Sequence, residues 1–492
     1  MKKHWRVWWV FVLLLIIYAY FFPRWADWNQ NSRFDLVLAV VDKNTLQIDE
    51  YYHNTGDYAL YDGHYYSDKA PGTSFMGIPI YWAFKTFLAP ILNQAIIPRL
   101  ASNPAFSTTL NPEGTGLLTD KVYFFVALVF TTFFTTVVPS AALGALFYQL
   151  LGAFSSFELE KLALTCIFAL ATPAFAYSNL FYGHQIAAFC LFAAFYLMFY
   201  WQNNPRVWTL VAVGFLFALA LITEYPTALI VAGIGIYTLV QVRDWHKWIW
   251  IGLGGIVPIL LVALYNYAIF HTPLPVGYEH SELWQAEHSS GFFSITAPSV
   301  EALWGITFGA YRGLFFLSPF LLLSIPGFVH WWRMRQYRAE FAVVLWSVGV
   351  FFLFNGSSVM WSGGFGVGPR YLVPMLPFLA LPVIFVLNAI RTRWFEIGAG
   401  ILAVWSFASV WIETIGGQSF PQTQPMPLFD YSLPRVFAGD LARNIGMIFS
   451  LRGWASLVPL ALLILILILV YAAFARPSRF LSLKWSVHSN AD

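Results

Sequence analysis

Hydrophobic and polar positions along this chain alternate on a long scale, as apolar runs of about 20 residues, enough helix to cross a bilayer, separated by polar connectors. The first run, Trp5 to Phe22, follows a basic start and has no small-residue cleavage site, so it predicts a retained spanning helix. Further runs at 121–150, 161–178, 184–201, 207–223, 226–242, 247–270, 314–332, 340–354, 371–390, 394–413 and 453–475 bring the expectation to about twelve spanning helices. Between the first two lies a long mixed region, residues 23–120. There Trp25 and Trp28 suit a membrane interface, and Ser32 to Val41 suits an amphipathic helix capped by Ser32. The apolar stretch 73–90, interrupted by Pro79 and Pro90, is expected to be re-entrant or to lie at the interface.

Charge in the connectors gives an orientation. With the N-terminus inside, every short inner connector carries cations: Lys161, then Arg206, then Arg243 and Lys247, then Arg333, Arg335 and Arg338, then Arg391 and Arg393, then a tail with Arg476, Arg479 and Lys484. The expectation is therefore an all-α polytopic membrane protein of the plasma (inner) membrane with both termini cytoplasmic. It forms one domain over 1–475, with a large first external loop (23–120) bearing short amphipathic helices and the active site, and a short basic tail over 476–492. Composition agrees: 59% hydrophobic residues, 10% charged residues and a mean hydropathy of +0.64 leave no room for a large soluble domain. A net charge of +3 gives no argument for nucleic acid as a partner. Cys166 and Cys190 fall in apolar runs, where they read as small packing residues rather than a disulfide or metal framework.

Against this background residues 54–74 stand out. They bring Asp57, Asp62, His64, Asp68 and Lys69 together with Tyr58, Tyr61, Tyr65 and Tyr66. Such a stretch reads either as a solvated loop or as a site. Lys69-Ala70-Pro71-Gly72 is a turn entering an apolar segment, which fixes a lysine at the membrane surface, and tyrosines offer flat faces and hydroxyls to sugars or headgroups. Unusual polar groups also mark the outer ends of the later runs: His184, Glu224, Arg312 and the passage Trp361-Ser362-Gly363-Gly364-Phe365-Gly366-Val367-Gly368-Pro369-Arg370-Tyr371. Ionisable residues at membrane depth face a cavity or a partner, although His184 and Glu224 also suit capping or packing and Arg370 also suits a snorkelling anchor. Glycines beside an arginine offer close backbone approach and bidentate contact to phosphate oxygens. A nucleotide-binding loop of the Gly-x-x-x-x-Gly-Lys-Ser/Thr type is absent.

These residues carry a resemblance. Gly56-Asp57-Tyr58 followed by Asp68-Lys69-Ala70-Pro71-Gly72 resembles the first-loop passage of the GT-C superfamily of membrane glycosyltransferases. The similarity is greatest to glycosyltransferase family 39, which includes protein O-mannosyltransferases and lipid A aminoarabinose transferases. Gly368-Pro369-Arg370-Tyr371 with Leu376-Pro377 resembles a later passage of related bacterial proteins. One departure stands out: the family's Asp-Glu pair falls here at Gln30-Asn31-Ser32-Arg33, which has no carboxylate. The resemblance implies transfer of a sugar from a polyprenyl-phosphate donor to a lipid, glycan or protein acceptor at the outer face, among membrane lipids and without nucleic acid. General-base help in such a step contributes roughly 10²–10⁴-fold. Asp57, Asp35 and Asp49 are the candidate bases; Lys69, Arg370, Arg312 and His64 are the candidate phosphate ligands, where charge develops. Tyr58, Asp62, Tyr66, Asp68, His184, Glu224 and Trp361 are candidate substrate contacts. A divalent cation, Mg or Mn, on Asp57, Asp62, His64 and Asp68 is a further option. The alternatives from other classes are a lipid or saccharide transporter or flippase, and a non-catalytic subunit that kept the fold.

Overall fold

The computed structural model describes residues 5–23, 27–103, 121–201, 206–291, 294–417 and 422–475. Trp25, residues 104–120 of the first loop and the basic tail 476–492 lie outside the described residues. Among those described, eight helices are long and apolar enough to cross a membrane: Gly72–Gln94, Val122–Leu151, Gly183–Trp201, Trp245–Phe270, Arg338–Gly356, Arg370–Ala389, Arg393–Ile415 and Gly453–Ala475. Shorter apolar helices span Trp5–Tyr20, Val207–Thr223 and Tyr225–Gln241. The chain is a multi-pass, mostly helical membrane protein, and its helices fall on the apolar runs of the sequence.

Two of the expected spans are broken. Run 161–178 divides into Glu158–Leu170 and Pro173–Tyr177, because Pro173 starts a new helix whose first turn is capped by Thr172, its Oγ1 accepting the Ala174 N–H at 3.2 Å. Run 314–332 divides at Ser318-Pro319 into Leu314–Leu317, a 3₁₀ turn Pro319–Leu323 and Ser324–Met334. The two breaks meet. Ser318 Oγ donates to the Ala171 carbonyl at 2.9 Å, so the hydroxyl of one break satisfies the carbonyl freed by the other, as a membrane interior requires.

Burial separates centre from periphery. Arg370–Ala389 and Gly183–Trp201 are 83% and 78% buried and form the core, whereas Gly453–Ala475 is 6% buried and turns its Leu and Ile side chains to lipid. Where helices approach closely, glycine sets the distance. A Cβ at Gly214 would meet the Ile251 carbonyl and one at Gly254 would meet the Val211 carbonyl, so Val207–Thr223 and Trp245–Phe270 pack backbone to backbone.

The first helix defines two faces. At its start Arg6 pairs with Glu158 at 2.9 Å, Lys161 pairs with the same carboxylate at 2.9 Å, and Arg391 pairs with Glu160. At its other end Phe21 bridges Asn444, and Asn179 Nδ2 donates to the Phe21 carbonyl at 3.1 Å. Helix Gly72–Gln94 runs through Pro79, and a π turn at Phe84–Leu88 takes up the distortion before Pro90. Both its flanks stay at the Phe21 face: Gly72 lies against the Ile222–Thr223 backbone, and Asn103 Nδ2 donates to the Met447 carbonyl at 3.0 Å. It packs with helix Trp28–Lys43 at the Phe21 face, and it is one continuous helix long and apolar enough to cross a membrane rather than a stretch broken at its prolines. This outer layer also contains a β-hairpin that the pattern of apolar runs did not indicate, Tyr58–Tyr61 paired antiparallel with His64–Ser67. Its turn residues Asp62 and Gly63 have φ of +50° and +79°, the two left-handed positions that Asp-Gly fills readily.

Gly214→Leu is expected to force the two helices apart and to destabilise the protein by about 1–3 kcal/mol. The check is thermal unfolding in detergent. An unchanged transition would mean that these helices are not packed at the distance described.

Candidate active site

The outer layer closes over a cluster of buried charges. Asp27 caps helix Trp28–Lys43, its Oδ1 accepting from Gln30 N at 3.4 Å, and one turn later Arg33 points into the protein at 1% exposure. Arg33 Nη2 pairs with Glu224 Oε1 at 2.9 Å, Nη1 donates to the Ala70 carbonyl at 2.8 Å, and Nε donates to Asn29 Oδ1 at 3.2 Å. One guanidinium therefore ties the Lys69-Ala70 turn to the outer end of Val207–Thr223. Glycine makes the fit: a Cβ on Gly72 would lie 2.7 Å from the Ile222 carbonyl carbon, and one on Gly183 would strike Glu224. Glu224 also faces His184 Nδ1 at 3.4 Å.

Lys69 is the centre of the cluster. Its Nζ lies 3.0 Å from Asp57 Oδ2 and 3.2 Å from Asp68 Oδ1, and all three side chains are at most 9% exposed. Burial opposes the charge on Lys69, yet Asp57 and Asp68 outweigh it and raise the lysine pKa. The two carboxylates respond differently. Burial pushes both up, but Lys69 and the Trp284 indole hold Asp57 below the usual range, whereas Asp68 ends above it with the Asp57 charge beside it. A later loop straps this pair in place: Trp284 Nε1 donates to Asp57 Oδ1 at 2.9 Å and Ser281 Oγ donates to Asp68 Oδ2 at 3.0 Å.

Arg370 lies near the same cluster, close enough for its charge to bear on Asp57 and Asp27. The glycine passage wraps around it, with Gly363, Gly364 and Gly368 at φ of +70°, +63° and +60°. A Cβ on Gly363 would lie 3.0 Å from Arg370 Cγ. The guanidinium carbon sits 5.1 Å from the Tyr371 ring and 5.7 Å from the Tyr182 ring, and Nη2 donates to the Tyr371 hydroxyl at 3.3 Å. Among the described residues no carboxylate lies within ion-pair distance of Arg370, and its buried Nε finds no acceptor. His184 Nε2 is likewise buried without a partner among them, inside a box of Tyr177, Tyr182 and Tyr371 ring edges.

Several sequence expectations converge here and others do not. Asp57, Asp68, Lys69, His184, Glu224 and Arg370 are brought to one face. Arg312 instead braces the glycine loop, Nη2 to the Gly364 carbonyl at 2.6 Å and Nε to the Ser362 carbonyl at 3.2 Å, and it is fully buried. His64 and Asp49 pair with each other at 2.7 Å beside the exposed hairpin turn, where Asp62 also lies. The four residues considered for a divalent ion therefore do not converge; among the described residues no three His, Cys, Asp or Glu form such a group. Tyr58 stacks edge-on with Tyr52 and Tyr65, Tyr66 packs near Phe270, and Trp361 fills the space left by Gly305. Asp35 is fully buried and takes the Asn54 amide at 2.8 Å on Oδ1; burial raises its pKa well above the carboxylate range. Gln30 and Asn31, at the place of the family's acidic pair, are packing braces: Gln30 accepts from Phe181 N at 2.9 Å and Asn31 donates to the Asn54 side chain at 2.7 Å. The residue missed from sequence is Asp27, which stands beside no motif. Its Oδ1 accepts the Tyr182 hydroxyl at 2.6 Å, and burial keeps its pKa raised despite that bond and the nearby Arg370.

No family model matches the chain, and no curated protein matches it. A solved structure does. The chain is similar to the crystal structure of ArnT from Cupriavidus metallidurans bound to undecaprenyl phosphate, at 16% identity and a TM-score of 0.45, over 84% of this chain and 71% of that one. The chemistry of the present site rests on its own residues.

Because Asp35 is buried with a raised pKa, the folded state favours its protonated form, and that contribution to stability is present below the unfolded pKa of about 3.9 and lost as pH rises. Asp35→Asn keeps the acceptor for Asn54 and removes the titration. The variant should melt at a higher temperature than the parent at neutral pH, with the difference shrinking toward pH 4. A variant that melts lower at pH 7 would show that Asp35 is ionised in the fold.

Proposed function

We propose that this chain transfers a sugar from a polyprenyl-phosphate donor to a hydroxyl acceptor at the extracytoplasmic face of the plasma membrane, with Lys69 and Arg370 holding the donor phosphate. Arg370 carries the reading. A guanidinium sunk among tyrosines and glycines, with no carboxylate in ion-pair contact among the described residues and Asp27 only nearby, is costly at a membrane edge, and an anion answers that cost. Lys69 supplies a second cation in the same cluster, and a phosphate oxygen can replace one of its carboxylate contacts. The leaving phosphate gains negative charge as the sugar departs, which is where fixed cations lower a barrier. Resemblance of the Gly56–Gly72 passage to the first loop of GT-C transferases supports the same assignment. Arg312 belongs to the scaffold of the loop in this scheme, since its donors already hold carbonyls.

The test is binding of undecaprenyl phosphate to the purified protein by calorimetry. Lys69→Ala and Arg370→Ala should each weaken it by about 1.5–3 kcal/mol, the range of a charge-assisted hydrogen bond. Unchanged binding in both variants would remove the phosphate assignment.

Orientation is checked separately, on intact cells. Cysteine at Asp62, exposed on the hairpin turn, should react with an impermeant thiol reagent, while cysteine at Arg335, exposed at the opposite face, should not. Labelling of Arg335→Cys alone would invert the protein.

A further inference from the structure

The proposed transfer needs a group to take the acceptor's proton, and the geometry separates the carboxylates near Lys69. Asp57 and Asp68 are both committed to Lys69, Asp35 is enclosed by Asn54, and Asp49 is held by His64 at an exposed turn. Asp35 also keeps an Oδ2 without a partner among the described residues but is enclosed, whereas Asp27 lines a cleft. Its two hydrogen bonds, from Tyr182 and Gln30 N, both fall on Oδ1, and Oδ2 takes none among the described residues. It lines a small cleft between the outer end of the first helix, the segment around Tyr177, the glycine loop at Gly366 and the end of helix Arg393–Ile415 at Thr414. Tyr182 joins it to the phosphate site: the same ring whose hydroxyl donates to Asp27 at 2.6 Å lies 5.7 Å beneath the Arg370 guanidinium.

We propose that Asp27 is the catalytic base and that the acceptor hydroxyl reaches it through this cleft; the inference rests on the transfer reaction proposed above. The acceptor O–H bond breaks and its proton goes to Asp27 Oδ2. The acceptor oxygen forms the new bond to the anomeric carbon, and the bond from that carbon to the phosphate oxygen breaks with its electron pair leaving on the phosphate. Tyr182 is a positioning residue, fixing Oδ1 so that Oδ2 faces the cleft. The cleft has room for about one water molecule, so it admits a hydroxyl and not the body that carries it. Phe21, Phe22, Leu180 and Phe365 give it apolar walls while Asn179 and Thr414 add polar edges.

The experiment uses the full chain in cells from which it has been deleted, with mass spectrometry of envelope lipids and glycans, and undecaprenyl phosphate binding on the purified variants. Asparagine caps a helix as well as aspartate does and keeps the Oδ1 acceptor, so Asp27→Asn should fold. The parent should restore a sugar-sized mass shift. Asp27→Asn should lose it by at least about 100-fold while binding undecaprenyl phosphate normally, and Asp27→Glu should recover part of it. Full restoration by Asp27→Asn would overturn the inference and leave the transfer reaction standing. Loss of lipid binding together with turnover would make Asp27 a structural cap and overturn it too. Absence of any sugar-sized shift with the parent would instead sink the transfer reaction itself.

Discussion

A charge buried at the edge of a membrane has to be answered within a few ångströms, and the outer layer of this protein is arranged by that requirement. Two unit charges 4 Å apart attract with about 4 kcal/mol at an effective dielectric of 20, so an unanswered one is a large local penalty. Lys69 is answered by two aspartates, Glu224 by Arg33 and His184, and Asp27 by the Tyr182 hydroxyl. The Lys69 pairs lie within one stretch, but Arg33–Glu224 and Asp27–Tyr182 join parts of the chain distant in sequence, so the network also fastens the first loop onto the helix ends. Arg370 breaks the pattern. Among the described residues it touches rings and glycines and no carboxylate within ion-pair distance, with Asp27 and Asp57 only nearby, and the functional reading follows from that exception.

The helices beneath serve this layer by being rigid where it stands on them. Gly183–Trp201 and Arg370–Ala389, the two most buried spans among the described residues, carry His184 and Arg370 at their first turns, on the Phe21 face. The paired breaks at Ala171 and Ser318 lie under the same region. They let Tyr177 reach the glycine loop, where its hydroxyl donates to the Val367 carbonyl at 3.0 Å. Glycine recurs wherever backbone must come close: Gly72 and Gly183 against the end of Val207–Thr223, and Gly363 against Arg370.

The apolar runs were legible because a bilayer imposes their length, and segment 54–74 was legible because its polarity contrasts with everything around it. The breaks at Pro173 and Pro319 were not read, since mean hydropathy is blind to which carbonyls lose donors. Asp62-Gly63 carried the hairpin signal in plain form, but a loop reading of the polar stretch passed over it. Arg312 and His64 were placed among the phosphate ligands on charge alone. Their partners, the glycine-loop carbonyls and Asp49, become visible only when the chain is folded. Arg33 and Asp27 were not singled out for the opposite reason: Arg33 meets Glu224 across 191 residues of sequence and Asp27 meets Tyr182 across 155, and while Arg33 ends the Gln30–Arg33 stretch noted for its missing carboxylate, Asp27 stands beside no motif.

In this account the site is a pair of cations, Lys69 and Arg370, with carboxylates graded by their neighbours: Asp57 and Asp68 tether Lys69, while Asp27 lines the cleft. The most direct measurement is a cryo-electron microscopy structure of the full chain with undecaprenyl phosphate. The account predicts the phosphate between the two cations, its oxygens within hydrogen-bond distance of both Lys69 Nζ and the Arg370 guanidinium, with at least one aspartate released from Lys69. A phosphate seated elsewhere, with Lys69 still holding both aspartates and Arg370 still among its tyrosines, would contradict it.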